Sequence, residues 1–195
     1  MNFVTFDFET ATKEANSACS LAVIRFRDGK PVESLARLCQ PPENHYEDDT
    51  IRIHQIRPAD TANAPTFAEI WPEFVPYFEH DLVFAHNAEF DTTVLRNSLA
   101  HYGLSLPYFE FGCTVQMARK VWPNLPSYAL NNLGKLFGYE FHHHQADEDA
   151  LICGNLVLQA LREKNLDDPR ILLSTLEIGP QIFQAESGFL QDALF

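Results

Sequence analysis

The chain has 195 residues, of which 46% are hydrophobic, and its formal net charge at pH 7 is −13. This length fits one domain with a full hydrophobic core. The acidity argues against non-specific binding to polyanions, although bound metal ions can invert a local charge balance.

The four cysteines contain no C-x-x-C pair, so we expect reduced, mostly buried thiols in a cytoplasmic protein. We expect neither a signal peptide nor a transmembrane helix, since a basic leader and a long apolar run are both missing.

The N-terminal third predicts three strands. Residues 3–10 are aromatic and β-branched without Gly or Pro, which favours a first strand. Residues 20–27 and 32–38 predict two more strands around an Asp-Gly hairpin signal, and therefore an antiparallel meander. Residues 40–50 predict a surface loop, and residues 51–65 a short irregular connection.

The middle of the chain alternates strands with helices. Residues 66–78 predict a helix with a capping box, residues 81–86 a short strand, and residues 89–102 a strong helix. Further on we expect a small strand or turn followed by a helix at 109–122, then helices at 128–137 and 146–163. Strands first and alternation afterwards predict an α/β fold, a sheet of mixed direction covered by helices.

The pattern weakens after residue 164. We therefore predict a domain over residues 1–164 and a C-terminal extension over residues 165–195. Its scattered apolar residues leave two interpretations open. The extension is either packed on the domain or a tail that binds a partner.

The first predicted strand carries two carboxylates. Asp7 and Glu9 are two residues apart, so their side chains lie on the same face of a strand. Two like charges in an apolar strand are unfavourable unless a positive charge neutralises them. A divalent cation is the usual solution.

Two helices add one carboxylate each. Asp91 lies on the apolar stripe of its helix, whereas Glu89 lies on the polar side. Asp149 lies on the stripe of the last helix, while Asp147 and Glu148 lie off it and fit first-turn acids that favour a helix N-terminus. The same helix-dipole effect is the alternative interpretation of Asp91 and Asp149.

Three consecutive histidines precede the last helix, at His142, His143 and His144. They fit either a weak transition-metal tract or a general base, because a pKa of roughly 6.5 suits proton abstraction near neutral pH. A His-x4-acid spacing occurs three times, so spacing alone does not choose among them. In this spacing His144 pairs with Asp149, the carboxylate that the helix stripe selects independently. His144 is therefore the candidate.

These parts indicate a reaction class. Four carboxylates without a cysteine ligand suit Mg²⁺ or Mn²⁺ rather than zinc. Two such ions roughly 4 Å apart can clamp the attacking and leaving oxygens of a phosphodiester, and a nearby histidine can deprotonate the attacking water. The residues therefore predict metal-assisted phosphodiester hydrolysis, without a strand polarity.

The ordered motifs resemble the DEDDh 3′–5′ exonucleases of the RNase H-like superfamily, the family of the epsilon proofreading subunit and of ribonuclease T. Residues 6–10 (FDFET), 85–91 (AHNAEFD) and 144–150 (HQADEDA) are similar to its three motifs. The alanines of the third motif select His144 over its neighbours. Residues 53–56 and 65–67 are similar to its I-H-G-I and P-T-F segments.

The resemblance implies a five-stranded mixed β-sheet flanked by helices, an RNase H-like fold, with His144 as general base. It also implies two metal ions, held by Asp7, Glu9, Asp91 and Asp149.

By the same resemblance, Thr10, His54, Phe90 and Asn87 contact the terminal nucleotide. The alternatives are a capping or strand hydroxyl for Thr10, a surface loop histidine for His54 and core packing for Phe90. The sequence departs from the family pattern at Ala11, Gln55 and Cys113. None of these residues is a proposed metal ligand, so the departures bear on substrate preference rather than on metal binding.

Three functions remain as hypotheses. The first is a 3′–5′ exonuclease on single-stranded DNA, acting in proofreading or repair, with a DNA polymerase subunit as a candidate partner. The second is an exoribonuclease, since the 2′-hydroxyl contact that separates the two is not visible in a sequence. The third is a non-catalytic docking module that uses the acidic surface and residues 165–195.

Overall fold

The computed structural model describes residues 1–184 and has a six-stranded sheet in the order β3-β2-β1-β4-β5-β6. The strands are β1 Phe3–Thr10, β2 Ala18–Arg27, β3 Lys30–Leu38, β4 Val83–Ala85, β5 Phe109–Cys113 and β6 Gln181–Phe183. The helices are α1 Asp48–His54, α2 Pro58–Thr61, α3 Phe67–Phe78, α4 Ala88–His101, α5 Thr114–Val121, α6 Leu130–Leu136, α7 Ala146–Glu163 and α8 Pro169–Thr175.

The sheet is mixed in direction, as the sequence predicts. β1, β2 and β3 form the expected antiparallel meander. β4 runs parallel to β1, and β5 runs parallel to β4. The carboxyl ends of three parallel strands therefore meet at one edge of the sheet, which is where α/β proteins usually place their ligands.

Side chains along β1 alternate between two separate cores. Val4, Phe6 and Phe8 pack beneath α3 and α4 on one face. Phe3 belongs to the other core, which is covered by α7, and the Thr5 hydroxyl donates to the Ala150 carbonyl of α7 at 2.7 Å. Period-two alternation therefore turns Asp7 and Glu9 toward α7.

The predicted strand count of five is wrong, because β6 adds a sixth strand. Gln181–Phe183 pairs antiparallel with β5, and the buried Phe183 ring stacks on Phe109 with centroids 4.7 Å apart. Three residues are too few for strand periodicity to show in the sequence. Pairing with β5 and the contact with Phe109 decide this strand.

The segment predicted as an irregular connection over residues 51–65 contains helical turns. α1 begins at Asp48 and ends where Gln55 adopts a left-handed conformation, and α2 follows as a single turn. Helices this short show no usable 3.6-residue pattern. α1 matters for the site because it ends in His54.

The structure describes residues 165–184 of the predicted C-terminal extension. α8 buries Leu172 and Leu173 in the core that contains α7, and β6 closes one edge of the sheet. Residues 185–195 lie outside the described residues. The division at residue 164 and a partner-binding tail both stay predictions.

Within residues 1–184, no helix combines the length and the apolar character that crossing a membrane requires.

Close packing between α7 and β2 depends on one glycine. Gly154 faces the ring of Phe26, which itself stacks on Phe3 with centroids 4.6 Å apart. A methyl group at position 154 would overlap the Phe26 ring. The helix can approach the sheet here only because the residue lacks a side chain.

We therefore expect Gly154→Ala to lower the free energy of unfolding by about 1–3 kcal/mol, the usual effect of overpacking a core. Alanine is the better helix former by about 1 kcal/mol, so the sign separates packing from propensity. Urea unfolding measures it, with Asn155→Ala on the same helix as the control, where the change should stay below about 1 kcal/mol. A Gly154→Ala protein more stable than the wild type would contradict this account.

Candidate active site

A cavity of about 720 Å³ opens at the carboxyl end of β1. Its lining comes from β1, the ends of α1 and β4, the first turn of α4, α5, the segment before α6 and the start of α7. β4 pairs with β1 only at Val4 and Thr5, so the last residues of β1 are free of a neighbour on that side. The cavity lies where the two strands separate.

Three carboxylates converge on this cavity. Asp7, Glu9 and Asp149 each place an oxygen within 4.8 Å of the other two. Glu9 and Asp149 are only 7% and 3% exposed, so little water is available to solvate their charges. The face of β1 and the stripe of α7, both visible in the sequence, bring the three groups together.

Asp91 is outside this group of three and lies on the other face of the sheet, close enough for its charge to act on Asp7. It is 1% exposed and is not among the lining side chains, but the backbone N–H of Phe8 donates to its Oδ1 at 3.0 Å. Its Oδ2 is buried and has no hydrogen-bond partner among the described residues. An unpartnered buried carboxylate oxygen is unfavourable and indicates a ligand that binds it.

The carboxyl groups resist ionising together. Burial, followed by the charges of Asp91, Glu9 and Asp149, raises the pKa of Asp7 well above its ordinary value. Burial also raises the pKa of Asp91 strongly, and burial with the charge of Asp149 raises the pKa of Glu9 to about 8. Without a cation, the folded protein therefore keeps protons on groups that are ordinarily ionised at neutral pH.

These groups fit a divalent metal. They offer only carboxylate oxygens, the ligands that Mg²⁺ and Mn²⁺ prefer. A bound cation would supply Asp91 Oδ2 with a partner and remove the repulsion that raises these pKa values. The residues present therefore fit the metal ions that the sequence predicts.

The three histidines take different positions. His142 is exposed and bonds Glu148, with Nδ1 3.1 Å from Oε1. His143 places its Nδ1 3.0 Å from Asp149 Oδ2. His144 hydrogen-bonds Asp149 only through its backbone N–H, at 3.0 Å, although a nitrogen of its ring lies within 4.8 Å of an Asp149 oxygen.

The His144 ring turns toward β1. Its Nδ1 lies 3.9 Å from Glu9 Oε1, and it stacks on His143 with centroids 3.8 Å apart. The residue has a φ of 70°, a left-handed conformation that is uncommon for a residue with a side chain. Burial, and then the charge of His143, lowers the pKa of His144, which favours the neutral ring near pH 7.

His143 is the site residue that the sequence did not single out. The spacing that pairs His144 with Asp149 in the sequence predicts a side-chain contact, yet the ring that reaches Asp149 belongs to His143. The left-handed turn at His144 produces this exchange, and no local pattern in the sequence signals it. The triple-histidine run was the only indication.

The predicted nucleotide contacts also line the cavity, namely Thr10, His54, Asn87 and Phe90. Phe90 is 45% exposed, which does not fit the alternative of core packing. Asn87 has a left-handed backbone where β4 leads into α4.

His54 is 6% exposed rather than lying on a surface loop. The backbone N–H of Ile56 donates to its Nδ1 at 3.0 Å, so its Nε2 carries the proton and donates to the Thr10 carbonyl at 3.1 Å. Burial lowers its pKa, which agrees with this neutral tautomer. Both ring nitrogens are therefore occupied, and His54 holds the backbone of Thr10 in place.

The opposite wall contains His86, which lies within the second motif without an assigned role, and residues outside every motif. His86 places Nδ1 2.9 Å from the Thr114 hydroxyl and Nε2 3.0 Å from the Tyr128 carbonyl, and burial lowers its pKa to about 4. Arg119 of α5 lies over the Tyr128 ring, 5.7 Å from its centroid. All except Thr114 line the cavity.

Comparisons with known proteins agree on one family. A family model described as Exonuclease (RNase_T) matches residues 4–157. The chain is 29% identical over 170 residues to the PolC-type DNA polymerase III of Lactococcus lactis, covering 84% of this chain and 10% of that protein. It is 27% identical over 165 residues to the DNA polymerase III subunit epsilon of Aquifex aeolicus, covering 83% and 81%. The chain thus spans about a tenth of the PolC-type relative and most of the epsilon subunit.

A solved structure agrees as well. Exonuclease X in complex with 5′ overhanging duplex DNA superposes with a TM-score of 0.69 at 25% identity, covering 85% of this chain and 94% of that chain.

The crowded carboxylates predict an unusual dependence of stability on pH. In EDTA, we expect the melting temperature to fall by roughly 5 °C or more between pH 5 and pH 8. The unfolded chain releases the Glu9 proton near the ordinary pKa of 4.5, whereas the folded protein keeps it until about 8. Between these values the folded state binds more protons, so its stability decreases as the pH rises.

Excess Mg²⁺ or Mn²⁺ should flatten this dependence, because the ionised carboxylates then have a partner. Glu9→Gln should flatten it in EDTA, whereas Asp147→Asn, an exposed acid of the same region, should leave it unchanged. Differential scanning fluorimetry at several pH values measures all four conditions. A wild-type melting temperature that stays constant across this range in EDTA would contradict the prediction.

Proposed function

This chain belongs to the exonuclease family, and from that premise we propose that it hydrolyses single-stranded DNA from the 3′ end to nucleoside monophosphates. The observation that carries the proposal is the convergence of Asp7, Glu9 and Asp149 on one cavity, with an unpartnered oxygen of Asp91 buried beside it. Such a set has no structural purpose that an apolar core would not serve better.

Two divalent ions are held, in this proposal, by Asp7, Glu9, Asp91 and Asp149. Bound there, Mg²⁺ or Mn²⁺ supplies the charge that activates a water molecule and stabilises the developing charge on the phosphate. The carboxylates hold the ions and fix where the reaction occurs. Their burial excludes competing water and strengthens every electrostatic interaction within the cavity.

His144 is proposed as the general base. Its ring is part of the cavity wall beside Glu9, and its lowered pKa keeps it neutral and able to accept a proton near pH 7. His143 holds the Asp149 carboxylate through Nδ1. The stacked rings restrain each other, so His144 is positioned before substrate binds.

The strand end is proposed to lie between β1 and the first turn of α4. Phe90 offers an exposed ring on which a base can stack, and bases of any sequence stack on aromatic side chains. Thr10 and Asn87 line the same part of the cavity. For His54, the occupied ring nitrogens leave the face of the ring for a nucleotide contact.

DNA is preferred as the substrate because similar proteins are DNA enzymes by name: the two polymerase III relatives and an exonuclease crystallised with DNA. From these relatives we also propose a role in proofreading or repair, a DNA polymerase subunit as partner, and a cytoplasmic location. An exoribonuclease is the alternative. The buried carboxylates argue against a docking module without activity.

The direct test uses single-stranded oligomers of matched sequence, one DNA and one RNA, each labelled at the 5′ end. With Mg²⁺ or Mn²⁺ we expect a ladder that shortens from the 3′ end, faster on DNA, and no reaction in EDTA. A faster reaction on RNA would replace DNA by RNA as the substrate. No reaction on either strand, by a folded protein saturated with metal, would overturn the proposed function.

Two neighbouring acids of α7 provide a matched pair. Asp149→Asn should reduce kcat by at least about 10³-fold, since it removes a metal ligand from a buried site. Asp147→Asn removes the same charge from the same helix turn, but Asp147 is exposed and outside the cavity lining, so activity should change less than about twofold. Equal losses in both variants would mean that overall charge, rather than ligation, is responsible.

The histidine run provides a second comparison by single-turnover hydrolysis. His144→Ala should slow the reaction by about 10²–10⁴-fold, the usual contribution of a general base. His142→Ala should leave it near the wild-type rate, because His142 is exposed and paired with Glu148. His143→Ala should have a smaller effect than His144→Ala. A larger effect at His143 would assign the base to His143 instead.

A further inference from the structure

Arg119 is the one Lys or Arg residue among the side chains that line the cavity in the described part of the chain. It lies on α5, and its side chain is exposed. The same cavity contains Asp7, Glu9 and Asp149. A polyanionic strand that enters is therefore repelled by these acids and attracted by this single permanent cation.

Arg119 has no acidic partner within residues 1–184. Five other arginines in that range, namely Arg25, Arg27, Arg37, Arg52 and Arg170, each form an ion pair with an Asp or Glu. Arg57, Arg96 and Arg162 also lack an ion pair in that range, but Arg119 is the one of the four that lines the acidic cavity. Its five N–H donors remain available for a ligand.

The guanidinium lies over the ring of Tyr128, 5.7 Å from the centroid. The Tyr128 hydroxyl donates to the Trp122 carbonyl at 2.8 Å and accepts from the Leu125 N–H at 3.3 Å. The Tyr128 carbonyl lies 3.0 Å from His86 Nε2. Since His86 directly follows β4, this chain of hydrogen bonds fixes Tyr128 relative to the end of the sheet.

From this arrangement we propose that Arg119 binds a backbone phosphate of the substrate strand, at a linkage upstream of the one that is cut. The inference rests on the proposed function. The carboxylates and the ions they hold take the linkage that is cut, so a separate cation in the same cavity serves a neighbouring linkage. Arginine suits this role because its planar fork matches phosphate oxygens and stays charged.

A phosphate contact has a characteristic dependence on salt. Each contact to a single strand contributes about −0.7 to the slope of log binding constant against log salt concentration. Binding is measured by fluorescence anisotropy with Mg²⁺, in an Asp7→Asn background that leaves the strand uncut. Arg119→Ala should weaken binding about tenfold, as expected for a hydrogen bond to a charged group. It should also reduce the slope by about 0.7.

Lys120 is the matched control, because it is the next residue on α5, is exposed, and does not line the cavity. Lys120→Ala should keep the wild-type affinity and slope. Arg119→Lys keeps the charge and should restore the slope with part of the affinity. Because Arg119 is exposed, we expect these substitutions to leave the fold intact. Urea unfolding of each variant checks this.

A methylphosphonate scan locates the contact. Single uncharged linkages are introduced in turn at the last few positions of the strand. At one upstream linkage the substitution should weaken binding to the Arg119 protein about tenfold and leave binding to the Arg119→Ala protein almost unchanged. At the other linkages both proteins should respond alike.

The outcomes separate this inference from the function on which it rests. The Asp7→Asn protein without a further substitution is the reference. If it binds strands but Arg119→Ala and Lys120→Ala show the same salt dependence of binding, the phosphate contact is overturned and the proposed function stands. The contact is also overturned if, at every linkage, the methylphosphonate changes binding equally in the Arg119 protein and in the Arg119→Ala protein. If the Asp7→Asn protein binds neither DNA nor RNA and the wild-type protein, saturated with metal, cuts neither, both the function and the contact are overturned.

Discussion

Repulsion among buried carboxylates at the end of β1 is the constraint on which the remaining structure depends. Asp7, Glu9 and Asp149 share one small volume, and Asp91 lies against the backbone of Phe8 behind them. Burial raises the pKa values of three of these groups, which shows that the fold places them where ionisation is unfavourable. The rest of the protein must supply the free energy that keeps them there.

Packing of α7 against the sheet supplies part of that stability. The Phe3–Phe26 stack lies beneath Gly154, where α7 approaches the sheet closely. The bond from Thr5 to the Ala150 carbonyl fixes α7 next to β1, one residue away from Asp149. A helix fixed at this point cannot move its carboxylate away from those of β1. The site is therefore held by the core that surrounds it, which is a common way to position reactive groups.

The histidine run shows how one local turn divides similar residues among different tasks. His142 pairs with Glu148 in solvent, His143 reaches Asp149, and His144 turns toward Glu9. A left-handed residue within the run produces these directions. Two of the rings are thus placed on the carboxylate cluster, and the third is excluded from it.

The acidity of the chain and its proposed substrate are compatible for a physical reason. Affinity for a polyanion is set mainly by the charges close to the strand, because salt screens charges that are farther away than about 10 Å. The proposed divalent ions would reverse the sign of the charge at the carboxylates. Arg119, supported by Tyr128, adds the one fixed cation on the cavity wall of the described residues.

The sequence by itself determined which side chains are candidates, because periodicity encodes the face on which a residue lies. Alternation along residues 3–10 placed Asp7 and Glu9 together, and the stripes of two helices selected Asp91 and Asp149, which the structure buries. Only the tertiary structure decided the sixth strand, the ring that contacts Asp149, and the position of Arg119 in the cavity. These depend on contacts between distant parts of the chain and on one left-handed turn, and local patterns carry no information about either.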